Sequence, residues 1–180
     1  ADVSGKGIKS SLLMSKASSL YSSLSKTNFS PASLLTQLNN EICETISRGM
    51  FVTMLIGTYD IEAKQLLLAS AGHEPPIMLN NKNEFSNFNE AGPPLGIVPK
   101  TEYKDHTISF NNASMYVFTD GITEIKNPHG EELGSVGFQN YITKFKEKPN
   151  SERLQEIVDN ILNSKYIQKD DLTIVTLDSI

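Results

Sequence analysis

Four carboxylates sit where a sheet could present them to a metal ion. Asp2 lies in the Gly-containing turn Asp2-Val-Ser-Gly-Lys-Gly7, just before a helical pattern. Asp120 follows the apolar run Met115–Phe118 and precedes Gly121, and Asp170 and Asp171 immediately precede the apolar run Leu172–Leu177. Carboxylates at strand ends can meet on one rim of a sheet, where main-chain carbonyls and water complete an oxygen shell. Mg2+ and Mn2+ prefer that shell. Zinc does not compete, because His73, His106 and His129 are far apart and have no cysteine companions. Each element alone is weak: Asp-Gly is an ordinary turn dipeptide, and Asp-Asp before a strand is usually a solvated end. Lys6 between glycines suggests a phosphate loop and a nucleotide-binding regulator, but the Walker spacing is absent.

The elements that would position these groups can be read from periodicity. Leu13, Ala17, Leu20 and Leu24 recur at helix spacing. Ser30-Pro31 is a cap followed by proline at the first helical position, and Leu34, Leu38, Ile42 and Ile46 carry a second helix toward Gly49. Phe51–Tyr59 is apolar on both alternating faces, as a strand covered on both sides would be. Gln65–Ser70 is its hairpin partner, and Ile77–Leu79 is a further short strand. The Asn-rich stretch 80–90 predicts an exposed loop. Strands are expected over Tyr103–Ile108, Met115–Phe118 and Leu172–Leu177, with helices carried by Phe138–Phe145 and Leu154–Ile161. No helical crossovers separate the central strands, so the sheets should be antiparallel rather than doubly wound.

The 180 residues predict one domain over 1–180. A net charge of −5 argues against nucleic acid as a partner, since phosphate neutralisation needs clustered Lys and Arg. It is compatible with a phosphoprotein, because bound cations reverse the local field of the acids that hold them. Cys43 has no second cysteine to pair with, which fits a reducing, cytoplasmic compartment; its apolar neighbours make it a small packed hydrophobe. No apolar run is long enough for a membrane segment.

Six blocks in order carry a family resemblance: Asp2-Val-Ser-Gly-Lys-Gly7, Phe51-Val-Thr53, Ala71-Gly-His-Glu-Pro-Pro76, Gly92-Pro-Pro-Leu-Gly96, Thr119-Asp-Gly-Ile-Thr-Glu124 and Asp170-Asp-Leu-Thr173. The set resembles the PPM (type 2C) metal-dependent protein phosphatases, in their bacterial SpoIIE/RsbU-like branch, from residue 1 to about 178. The resemblance implies an α+β fold, an αββα sandwich of two antiparallel sheets flanked by helix pairs. It also implies a serine/threonine phosphatase in which two Mn2+ or Mg2+ ions, about 3.5–4 Å apart, activate a water for attack on phosphoserine or phosphothreonine. Asp2 matches the bridging ligand and the Val3 carbonyl a backbone ligand. Asp120 matches a further ligand, and Asp170 is a better match to the last one than Asp171. Glu124 is expected to cap or orient Asp120, and His73 to have a structural hydrogen-bonding role.

The chain opens without Met, inside a turn, and reads as starting partway into the domain. The family's Gly-Gly-Asp-like strand motif would precede Asp2. Lacking those N-terminal strands, a sheet edge would favour association, as in a homodimer. The branch points to bacterial signalling of the sigma-factor type, with an anti-sigma-factor antagonist as phosphoprotein substrate. The alternative is a catalytically inactive phosphatase-fold binding or regulatory module.

Overall fold

In the computed structural model, which describes residues 1–27, 30–46, 49–164, 166 and 171–179, the chain divides into two compact units. One comprises Ala1–His73 with Asn89–Asn111, the other Glu74–Phe88 with Asn112–Ile180. Each holds one four-stranded antiparallel sheet and its own helices.

The first unit opens with strand β1 (Asp2–Val3) and helix α1 (Ile8–Leu24). Gly5 and Gly7 bend the chain between them at φ +78° and +90°, conformations that L side chains avoid. Helix α2 (Pro31–Cys43) starts where the cap signal places it: the Ser33 amide donates to Ser30 Oγ, and Pro31 needs no donor in the first turn. The helix ends at Cys43 rather than near Gly49, although Ile46 still packs on the core.

Strands β2 (Val52–Asp60), β3 (Gln65–Ala71) and β6 (His106–Ser109) complete the sheet in the order β1-β2-β3-β6. Val52, Met54 and Ile56 alternate into the core with Leu35, Leu38, Ile42 and Ala69. The strand expected from Tyr103 begins only at His106. Tyr103 is nonetheless buried, because its hydroxyl donates to the Pro93 carbonyl and its amide donates to Thr36 Oγ1.

In the second unit the order is β5-β4-β7-β8, with β4 at Ile77–Leu79, β5 at Phe85–Asn87, β7 at Ser114–Phe118 and β8 at Ile174–Asp178. Strand β5 corrects the expectation of a plain loop over 80–90. It is an edge strand whose ladder to β4 runs from Ile77↔Asn87 to Leu79↔Phe85. Strand β8 starts two residues later than the apolar run suggested.

Helix α3 (Asp120–Thr123) replaces the simple turn expected at Asp120-Gly121. Helices α4 (Gly134–Phe145) and α5 (Asn150–Asn163) bury Phe138, Ile142, Ile157 and Ile161 against Tyr116 and Phe118. Arg153 on α5, only 5% exposed, meets both carboxylate oxygens of Asp178 on β8 at 2.7 Å.

Candidate metal-binding residues

Asp2 and Val3 form a strand of two residues, and neighbours rather than length hold it in place. Asp2 stands opposite Thr53 and Val3 opposite Val52. Val52 exchanges both of its main-chain bonds with Leu95, at 3.0 and 2.8 Å. Its amide and carbonyl therefore turn away from Val3, which makes Val3–Val52 a non-hydrogen-bonded pair. The Val3 carbonyl accordingly faces outward from the sheet edge, while the Val3 side chain is buried in the core. Ser4 secures the exit from the strand. Its amide donates to the Phe51 carbonyl, its Oγ accepts from the Phe51 amide at 2.8 Å, and its carbonyl accepts from Ser10 Oγ.

Leu95 reaches Val52 because α2 holds its loop. Asn39, fully buried on α2, accepts from the Gly96 amide and donates to the Val98 carbonyl, both at 2.9 Å. Asp105 binds the start of the same helix by accepting from the Ala32 amide at 2.8 Å and from Ser30 Oγ at 2.6 Å.

At the end of β3, His73 is 6% exposed, and its Nδ1 lies 3.0 Å from Thr53 Oγ1. This agrees with a structural hydrogen-bonding role. Burial lowers the imidazole from 6.5 to about 4, so it is neutral near pH 7.

In the second unit Asp120 is the first residue of α3 and is exposed, whereas Thr119 before it and Gly121 after it are buried. The Thr119 hydroxyl accepts from the Thr173 amide at 3.2 Å and donates to the Asp171 carbonyl at 3.3 Å. The Thr119 amide bonds the Thr173 carbonyl. One residue thus ties the start of α3 to the approach of β8. The structure thereby brings the main chain at Asp171 beside Asp120. Asp170 lies outside the described residues.

Glu124 does cap this segment, but through its amide, which donates to the Asp120 carbonyl at 2.8 Å. Glu74 joins the acidic neighbourhood. Its carboxyl is pushed up first by burial and then by the charges of Asp120 and Glu124. Sequence reading passed over Glu74, because nothing local sets it apart from its Ala-Gly-His block.

Among the described residues, no group of three or more His, Cys, Asp or Glu is arranged to hold a metal ion. The donor chemistry nonetheless fits hard cations. Asp2 and the outward-turned Val3 carbonyl in the first unit, and Asp120 in the second, are oxygen donors of the type that hard cations take.

A family model described as Stage II sporulation protein E (SpoIIE) matches residues 1–179. Phosphoserine phosphatase RsbU of Bacillus subtilis (strain 168) is 33% identical over 180 residues, covering 98% of this chain and 53% of RsbU. The chain therefore spans about half the length of that curated relative. The SiaA-PP2C domain of Pseudomonas aeruginosa superposes with a TM-score of 0.82 at 18% identity, covering 98% of this chain and 71% of that one. The catalytic domain of serine threonine protein phosphatase PstP, in complex with two manganese ions, gives 0.69 at 12% identity, covering 98% and 84%. At these identities the structural likeness establishes the fold, an α+β PP2C fold with two antiparallel sheets and their helices.

Proposed function

The chain belongs to the SpoIIE family, and on that premise we propose that it hydrolyses phosphoserine or phosphothreonine on a protein, using divalent cations. The observation that carries this reading is the setting of Asp120. An exposed carboxylate stands between two buried residues, one of them bonded on both sides to the segment that leads into β8. A solvated turn would need no such anchorage.

The donors we propose for Mn2+ or Mg2+ are Asp2 and the Val3 carbonyl in the first unit, and Asp120 and Asp170 in the second. Asp171 is a less favoured donor. When bound, such ions supply Lewis acidity, acidifying the attacking water and offsetting charge on the phosphoryl oxygens. The chain's own part is positioning. Ser4 and Thr53 hold the Asp2 strand, Thr119 fixes the start of α3, and the Glu124 amide closes that helical turn on the Asp120 carbonyl. Preorganisation of this kind removes the reorganisation cost from the chemical step.

RsbU is named a phosphoserine phosphatase, which supports phosphoserine as the substrate class. An anti-sigma-factor antagonist in bacterial signalling is the phosphoprotein we propose. The compartment we propose is the cytoplasm; no helix among the described residues is long and apolar enough to cross a membrane.

The test is release of phosphate from p-nitrophenyl phosphate and from a phosphoserine protein, with and without Mn2+. Turnover that needs Mn2+ and disappears in Asp120→Asn, with unchanged folding, is the expected result. No turnover with Mn2+ present would leave the inactive binding module as the reading.

A further inference from the structure

Two ladder pairs cannot by themselves fix the direction of a strand as short as β1. Ser4 anchors its exit. Its beginning is met by a side chain, since Thr53 Oγ1 lies 3.5 Å from the Asp2 carbonyl oxygen and 3.0 Å from His73 Nδ1. A threonine hydroxyl has one proton to give. If it goes to His73, the Asp2 carbonyl loses that donor. If it goes to Asp2, the oxygen can accept from His73, provided Nδ1 carries the imidazole proton. Only the second arrangement satisfies both contacts.

His73 is itself held in place. Gly72 before it turns at φ +65°, and a β-carbon there would lie 2.6 Å from Pro94 Cγ. Ala71 bridges to Gly92. The end of β3 therefore delivers an imidazole to β2, and β2 passes the constraint to β1 through one hydroxyl.

We infer that Thr53 and His73 are positioning residues, which hold the main chain at Asp2 so that its carboxylate and the Val3 carbonyl keep one orientation toward a divalent cation. The inference rests on the cation site proposed above. Neither residue touches substrate, and their effect is transmitted through the Asp2 carbonyl. Partners of this outer kind typically change metal affinity about 10- to 100-fold when removed.

Calorimetric titration of Mn2+ into the metal-free full protein tests this, with melting in EDTA alongside. Thr53→Val, which exchanges the hydroxyl for a methyl, should weaken Mn2+ binding about tenfold. Thr53→Ser keeps the hydroxyl and should stay near the parent. His73→Leu should behave like Thr53→Val, whereas His73→Asn retains an N–H donor near the Nδ1 position and should bind like the parent. Parent-like affinity in Thr53→Val, with the parent itself binding Mn2+, overturns the assignment and leaves the cation site standing. Failure of the parent to take up Mn2+ overturns both. If Thr53→Val does not fold, the serine and asparagine variants decide: a tenfold loss in either one overturns the inference.

Discussion

The space above Gly121 is closed by the main chain of Asp171, so that a β-carbon on Gly121 would lie 2.3 Å from the Asp171 carbonyl oxygen. A carbonyl in the backbone cannot swing aside as a side chain can. Gly121→Ala must therefore displace either α3 or the approach to β8, and with it Asp120. The expected cost is about 1–3 kcal/mol in urea unfolding, together with a fall in Mn2+-dependent turnover. A parent-like unfolding midpoint would show that the two segments are not in this contact.

Thr119 makes the same junction by hydrogen bonds. In Thr119→Val the Thr173 amide loses its acceptor and the Asp171 carbonyl a donor. Hydrogen bonds of this kind contribute about 0.5–1.5 kcal/mol each. Thr119→Ser should recover most of the loss, and comparing the two unfolding midpoints checks the hydroxyl's share.

His73 gives stability a pH dependence of definite sign. The imidazole titrates at 6.5 when unconstrained and at about 4 in the fold. As pH falls, the unfolded chain takes up the proton first. This contribution is therefore complete above pH 6.5 and is lost progressively toward pH 4. Melting temperatures at pH 7 and 4.5 should differ more for the parent than for His73→Asn. Equal differences would place His73 in solvent.

Buried Arg153 and half-buried Asp178 link α5 and β8, with the guanidinium 5.5 Å from the Tyr116 ring centre. Arg153→Ala removes the ion pair and the ring contact but leaves a carboxylate that water can reach, and should cost about 1.5–3 kcal/mol by denaturant titration. Asp178→Asn keeps an acceptor but leaves the buried guanidinium without its counter-charge, and should cost at least as much. Parent-like unfolding midpoints in both variants would contradict the geometry.

Much of this arrangement was legible in the sequence where the signal was local. Ser30-Pro31 starts α2 because cap and proline act within one turn, and β2 was visible from its apolar residues, although only the face of Val52, Met54 and Ile56 is buried and the opposite face, at Thr53 and Leu55, is half-buried rather than covered. Strand β5 was not, because an edge strand keeps its polar side chains in water, and its pairing is a main-chain matter that Phe85, Ser86 and Asn87 do not advertise. Helix α3 is too short for periodicity to show. At the candidate site, the residue types of Asp2 and Asp120 were readable. Their supports were not: Thr53 and Thr119 act across 51 and 52 residues of chain, respectively, on Asp2 and the Asp171 carbonyl.

The outward turn of the Val3 carbonyl has an evolutionary side. That oxygen belongs to every residue alike, so a point mutation can change the packed side chain and leave the oxygen in place. Only insertion, deletion or a shift in strand register could remove it. Position 3 is thus open to drift among apolar residues of similar bulk, and alignments of residue types would pass over the group it presents.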